Sequence, residues 1–312
     1  MNNIIIYTII IPHYNVPSLL SRCLKSIPNR PDVQVIVVDD LSPNHDKYCD
    51  IIPELHRENV EFYVVDEKKG GGHARNIGIG HAKGKWLLFA DSDDYFNYCI
   101  DDIFDEYADT DYDCIFFNAT VLDANTYQPT SMGQRPASYF RKLANNQALL
   151  EYKLRYIFGQ PWCKMVKRDM LLKHNIKFEE TIIHNDTQFS YLLGYYAKKV
   201  KMDSRCLYAY MVRQGSVSKQ KWSDEILLTR LSVFSRKYVF LKKHGIDYSI
   251  EDHVANVLLF YKKQKNETQL KKCYSLMKEL GVPDSEVKKV LKEREWKRSL
   301  IGRIFNKIKG EV

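Results

Sequence analysis

The sequence predicts an α/β fold: a mixed, mainly parallel sheet with helices on both faces, followed by an α-helical C-terminal region. Three observations carry this reading. Through the first third of the chain, short and nearly continuous apolar runs alternate with amphipathic stretches, the pattern of strands covered on both faces by crossover helices. Two of those runs end in acids, Asp39-Asp40 and Asp91 with Asp93, and open parallel sheets bind ligands beyond the carboxyl ends of their strands. From about Asp224 onward the apolar residues recur at helical spacing only.

The elements follow in order. "IIIYTIII" (Ile4–Ile11) reads as the first strand, and "VPSLLSRCLKSI" gathers Leu19, Leu20, Cys23, Leu24 and Ile27 on one helical face. "VQVIVVDD", "VEFYVVD" and "KWLLFAD" read as three further strands, and "YDCIFFNATVLD" (Tyr112–Asp123) as a fifth. "TYQPTSMGQRPASYF" is polar, carries Pro and Gly, and reads as a loop. "NNQALLEYKLRYIF", "KRDMLLKHN" and "DTQFSYLLGYYAKKV" are helix-like, and "LYAYMVRQGSVSK" starts as a strand and ends in a turn. "DEILLTRLSVFSRKYVFLKKHG" closes on basic residues and Gly245, a helix stop. "HVANVLLFYKKQ" and "TQLKKCYSLMKELG" continue the helical pattern.

Composition narrows the function. At 312 residues and 45% hydrophobic content the chain can bury a sizeable core, and no apolar run approaches the ~20 residues needed to span a bilayer. The N-terminus lacks a basic region and a small-residue cleavage site, so a first core strand is expected there and no signal peptide. Seven scattered cysteines with no CxxC pair argue against a zinc site or a disulfide framework and fit a reducing compartment. Net charge is +8, yet Asp91 to Asp113 holds ten acids and no Lys or Arg, so the rest of the chain carries +18. A basic protein with one acidic patch suggests anionic partners and a cation site.

The chemistry gathers at the strand ends. Two carboxylates one residue apart, Asp91 and Asp93, can share a hard divalent cation, Mg²⁺ or Mn²⁺. As an N-cap and turn motif the same tripeptide needs no metal. Asp39-Asp40 ends a second strand, and four carboxylates at one crevice are costly without a cation. Between them Gly70, Gly71 and Gly72 lead into a helix that starts with Arg75 and Asn76. Glycines before a helix N-terminus can cradle phosphate, although a plain surface turn explains them equally well. The segment is neither a Walker A loop nor a dinucleotide fingerprint.

Taken in order, "TIIIPHYN", "LLSRCLKSI", "VIVVDDLSPN" and "GGGHARNIGIGHAKGKWLLFADSDD" resemble the nucleotide-sugar-binding half of family 2 glycosyltransferases, which have the Rossmann-like GT-A fold. The resemblance is close over residues 4–125 and looser to about 220. It implies a catalytic domain over 1–222, with a nucleotide-sugar half (1–125) and an acceptor half (126–222), before a helical region over 223–312. It places Pro12, His13, Tyr14 and Asn15 at the nucleotide pocket and Asp40 on the base, usually uracil. It puts Arg75 and Asn76 near nucleotide and sugar, and Asp91 with Ser92 near the ribose and sugar. Asp93, supported by Asp91, would hold the metal on the diphosphate, while Asp94 would structure the turn.

The second half carries further matches. "FEETIIHNDTQFSYLL" resembles the family segment that supplies the general base, here Asp186, with Asn185 where the family usually has Glu. His184 is an alternative base, and a helix cap is the simpler role for Asn185 or Asp186. "YMVRQGSVSK" resembles a loop whose Arg213, Ser216 and Ser218 would close over the diphosphate. "QPWCKMVKR" puts Trp162 and Lys164 on the acceptor side with Asn185, core packing being the simpler role for Trp162.

These roles imply an inverting, metal-dependent transfer of sugar from a nucleotide-sugar donor, expected to be a UDP-sugar. The acceptor would be a hydroxyl of a saccharide or lipid-linked oligosaccharide in bacterial surface-polysaccharide assembly. A nucleotidyl or phosphoryl transferase using the same metal is the alternative. A nucleic-acid-binding protein fits less well, because the acidic crevice opposes it. From Ser285 to Val312 there are nine Lys/Arg and four Asp/Glu, with Val287, Val290, Leu291, Leu300, Ile301, Ile304, Phe305 and Ile308 on one face. Such a basic amphipathic helix suits an anionic membrane surface, here the cytoplasmic face of an inner membrane, or packs on the domain with its charges solvated.

Overall fold

The computed structural model describes residues 4–130, 135–213, 223–250 and 252–294. The chain divides into two units, Met1–Thr181 with Asn185–Gln220, and Ile182–His184 with Lys221–Val312. In chain order the first unit runs β1 (Tyr7–His13), α1 (Pro17–Lys25), β2 (Val33–Asp39), α2 (Tyr48–Ile51), β3 (Val60–Val64), α3 (Gly71–His81) and β4 (Trp86–Phe89). It continues through β5 (Tyr95–Phe96), α4 (Ile100–Tyr107), β6 (Cys114–Asp123), α5 (Arg135–Lys142), α6 (Gln147–Tyr152), β7 (Lys164–Lys167), α7 (Arg168–Lys173), α8 (Asn185–Tyr196) and β8 (Val200–Val212).

The eight strands form one sheet in the order β3-β2-β1-β4-β7-β6-β8-β5. β1 to β4 run parallel, with β1 between β2 and β4 and His13 level with Asp39. Every residue of β2 and β4 is buried, which is why their apolar runs are nearly continuous. β7 then enters antiparallel between β4 and β6, β8 lies parallel to β6, and β5 pairs antiparallel with β8. The sheet is therefore mixed and mainly parallel, and β1, β2 and β4 deliver their C-terminal ends to one edge.

Several segments differ from the sequence reading: α2 and β5 match no expected element, and β8 starts at Val200, ahead of the strand expected from Leu207. Residues 135–142, which begin inside the expected loop and run two residues past it, form α5. Pro136 lies in its first turn, where the missing amide hydrogen costs nothing, and Phe140 is buried. The four residues of β7 sit inside a segment read only for its acceptor-side residues; flanking lysines mask a strand whose Met165 and Val166 are fully buried.

The second unit is helical. α9 (Asp224–Lys243) begins at Ser223, whose hydroxyl accepts the Ile226 amide, and ends before Gly245 at a φ of 74°. α10 (Asp252–Lys263) and α11 (Glu267–Glu279) pack with α9, burying Leu227, Leu231, Val254, Leu258 and Cys273. Residues 284–294 are also helical, and Val287 and Val290 of the proposed membrane-binding face are buried here. Leu291 is half-buried, and the rest of that face, from Leu300 to Ile308, lies outside the described residues. No helix among the described residues is long and apolar enough to cross a membrane.

Candidate active site

The C-terminal ends of β1 and β2 are held by a buried cluster. His13 Nε2 accepts the Val16 amide at 3.1 Å, so the ring proton sits on Nδ1, which donates to Asp39 Oδ2 at 2.7 Å. Asp39 also accepts the amide and hydroxyl of Ser42 at 2.6 and 2.7 Å. Burial alone would raise the Asp39 carboxyl, but the bonds from His13 and Ser42 outweigh it and hold the carboxyl below its ordinary range. The resemblance places His13 at the pocket wall; the structure instead turns its buried ring toward Asp39. Tyr14 and Asn15 are exposed, with Lys68 Nζ 3.5 Å from the Tyr14 ring centre, and Pro12 is half-buried.

Asp40 is buried and also committed. Its carboxylate accepts the amides of Lys69 and Gly70 at 2.9–3.0 Å, fastening the glycine turn to the end of β2. Gly70 adopts a φ of 86°, which admits glycine readily. Asp39 and Asp40 therefore need no cation: the protein satisfies both, and the expected crevice of four acids reduces to the Asp91–Asp93 pair. Asp40 is left with its remaining lone pairs for any base.

α3 then brings its N-terminal turn against residues 178–180 and Asn185. A Cβ on Gly72 would lie 2.1 Å from the Glu179 carbonyl oxygen, so only glycine permits the approach. Asn76 spends its amide on the backbone of Phe178, donating to its carbonyl at 3.0 Å and accepting its amide at 2.9 Å. It is a clamp, and its side chain is occupied. Arg75 is the hub: it donates to Asp91 Oδ1 at 2.5 Å and to Asn185 Oδ1 at 3.2 Å, with its guanidinium 5.3 Å from the Phe178 ring centre.

The Asp91–Asp94 turn follows β4. Asp93 Oδ2 accepts Arg213 Nε at 2.6 Å, and its carbonyl accepts Arg22 from α1 at 2.5 Å. Asp94 is fully buried; its carboxylate accepts the Met211 amide and the Tyr208 hydroxyl. Ser92 is buried as well. The Asp91 side chain is 31% exposed, with the buried Arg75 guanidinium against it. Burial and the neighbouring Asp93 raise its carboxyl, and Arg75 opposes them. Among the described residues, Asp91 Oδ2 and Asp93 Oδ1 carry no hydrogen bond, and both are hard oxygen donors suited to Mg²⁺ or Mn²⁺. No cluster of three or more His, Cys, Asp or Glu arranged for a metal occurs among the described residues. A cation here would take two protein carboxylates and complete its shell from diphosphate and water.

α8 opens at Asn185, so Arg75 also ties that helix start to the aspartate turn. Asp186 lies in its first turn, and no side chain among the described residues bonds its carboxylate. Burial raises the Asp186 carboxyl against the pull of Arg75 and Lys164, with Asp91 adding to the rise. Lys164 and Trp162 do not face an open acceptor site. Lys164 is buried, donating to the carbonyls of Phe158 and Gln160 and to Ser190 Oγ of α8 at 2.6–3.0 Å. Trp162 is stacked on Tyr208 and Tyr210 with ring centres 5.2 and 5.4 Å apart. His184, the alternative base, packs in the second unit, its ring edge on Phe234 and its Nε2 accepting from Arg230. Ser216 and Ser218 lie outside the described residues.

Sequence reasoning did not single out Arg22, Phe178 or Tyr208. Their roles rest on contacts between positions as far apart as Asp94 and Tyr208, and no local spacing reports those.

The comparisons bear on the family and the fold. The family described as "Glycosyl transferase family 2" matches residues 8–174, more than half of the chain. "Glycosyltransferase GlyA" of Streptococcus pneumoniae serotype 4 is 26% identical over 264 residues, covering 80% of this chain and 36% of that protein. "Poly(ribitol-phosphate) beta-N-acetylglucosaminyltransferase TarS" of Staphylococcus aureus is 25% identical over 219 residues, 67% of this chain and 36% of that protein. The chain thus spans just over a third of the length of each of these relatives. The structure of S. aureus TarS 1–349 in complex with UDP-GlcNAc matches with a TM-score of 0.62 at 20% identity, over 90% of this chain and 83% of that one. At that identity the likeness speaks for the fold, which is GT-A. Sequence family and fold thus lead to one conclusion: the chain belongs to glycosyl transferase family 2 and is a glycosyltransferase.

Proposed function

We propose that this glycosyltransferase moves a sugar from a UDP-sugar to a hydroxyl of a saccharide or lipid-linked saccharide, with inversion, in assembly of a bacterial surface polysaccharide. The observation that carries the reading is Arg75, which joins Asp91 of the aspartate turn to Asn185 beside Asp186. A donor-side acid and the helix start that carries the candidate base are thereby held by one guanidinium. The TarS structure holds UDP-GlcNAc, and TarS is named for a poly(ribitol-phosphate) acceptor; both favour a uridine donor and a surface-polymer acceptor.

Asp186 takes the proton from the acceptor hydroxyl, whose oxygen bonds to the anomeric carbon. The bond from that carbon to the diphosphate breaks, and its electron pair leaves with the diphosphate. One base opposite one leaving group makes this a single in-line displacement. Arg213, on the Asp93 side, takes up part of the departing charge, and Arg75 keeps Asp91 oriented. A divalent cation on Asp93 and Asp91 would supply further neutralisation of that charge.

Asp186→Asn is the direct test. Turnover is expected to fall about 10²- to 10⁴-fold with UDP-sugar affinity by calorimetry unchanged. Wild-type turnover in that variant would remove Asp186 from the mechanism. Free UDP is the expected product; UMP or pyrophosphate would point to nucleotidyl or phosphoryl transfer.

A further inference from the structure

Tyr208 lies within β8, far in sequence from the aspartate turn, yet its hydroxyl reaches both ends of it. The Asp91 amide donates to the Tyr208 hydroxyl oxygen at 2.8 Å, and the hydroxyl donates to Asp94 Oδ2 at 3.0 Å. Asp94 Oδ1 accepts the Met211 amide at 2.7 Å, and the turn closes on itself where the Asp94 amide donates to the Asp91 carbonyl at 3.0 Å. Directly after the turn, Tyr95 and Phe96 pair with Ala209 and Tyr208. The ring is immobile for its own reasons: it is fully buried, stacked on Trp162, and met edge-on by Phe96 with ring centres 5.4 Å apart. Asp91 and Asp93 thus project from a four-residue turn whose two ends hang on one phenol, and the same strand leads to Arg213 on Asp93.

We infer that Tyr208 and Asp94 are positioning residues for the cation and diphosphate: their hydroxyl–carboxylate pair sets the spacing of the Asp91 and Asp93 carboxylates and joins that spacing to the strand bearing Arg213. The inference rests on the reading that a divalent cation sits on Asp91 and Asp93. Neither residue touches the cation. Removing the hydroxyl leaves the ring's packing in place but frees the Asp91 end of the turn, so the two carboxylate oxygens no longer meet a cation at a preset distance.

The test titrates Mn²⁺ into the full chain with UDP present, reading free Mn²⁺ by electron paramagnetic resonance. Thermal melts confirm folding. Tyr208→Phe is expected to weaken Mn²⁺ binding about 10- to 100-fold. Asp94→Asn, which can no longer accept from both Tyr208 and Met211, is expected to act in the same direction and decides the matter if Tyr208→Phe does not fold. Phe96→Leu trims the edge contact while Trp162 still stacks on the ring and the hydroxyl keeps both partners, and is expected to keep wild-type affinity. Wild-type Mn²⁺ affinity in folded Tyr208→Phe or Asp94→Asn, alongside its loss in Asp93→Ala, overturns the inference alone. Undiminished binding in Asp93→Ala overturns the metal reading, and this inference with it.

Discussion

Asp39 stays ionised in a buried place because His13 and Ser42 both donate to it. An acid whose folded value is depressed adds stability above its unfolded value of about 3.9, and that stability is lost as the pH falls through the lower folded value. Asp39→Asn is therefore expected to flatten the acid limb of unfolding free energy against pH. His13→Ala is expected to cost about 1–3 kcal/mol in urea unfolding, since it removes one of the two hydrogen bonds to buried Asp39 Oδ2 and leaves the Val16 amide without its acceptor. Asp186 runs the other way. Burial raises its carboxyl, and a base works only when deprotonated, so activity falls off on the acid side at a higher pH than an ordinary aspartate would dictate. A kcat/KM profile whose acid limb sits in the usual carboxylate range, or is unchanged in Asp186→Asn, would count against this role.

α3 and α8 are the elements that assemble the site, and each is locked by a feature with a measurable consequence. Gly72→Ala drives a methyl group into the Glu179 carbonyl, so α3 must shift; UDP-sugar affinity and Tm are both expected to fall. Lys164→Met strands three buried acceptors beneath α8 and is expected to destabilise the protein by about 1–3 kcal/mol or more in urea unfolding. Elements of this kind were unevenly legible in the sequence. β1, β2 and β4 were plain because burial on both faces demands unbroken apolar runs. β5 has only two residues, the lysines at both ends of β7 mask its apolar pair, and Pro136 disguised α5. At the site, acids and glycines at strand ends can be read locally. What occupies each of them cannot: Asp40 on the glycine turn, Asn76 on Phe178 and Lys164 beneath α8 are tertiary outcomes.

For the molecule as a whole, charge and the C-terminal region raise the question of where it works. The chain carries +8, and the basic segment from Ser285 onward holds a large share of it. Val287 and Val290 are already buried in the helical unit, so the membrane proposal rests on the sequence beyond residue 294. Flotation with anionic liposomes is expected to recover the full chain and lose the chain ending at residue 294, with 0.5 M salt weakening recovery. Equal recovery of both would end the membrane proposal. The clamp on Phe178 also bears on the whole chain. The stretch at 178–179 has neither helix nor strand, yet Asn76 takes both backbone groups of Phe178, and the Glu179 amide bonds to Asn185. Such a loop does not behave as a loop. A backbone cut engineered there would unfasten α3 from α8, whereas a cut at exposed Asn125 would leave that clamp intact.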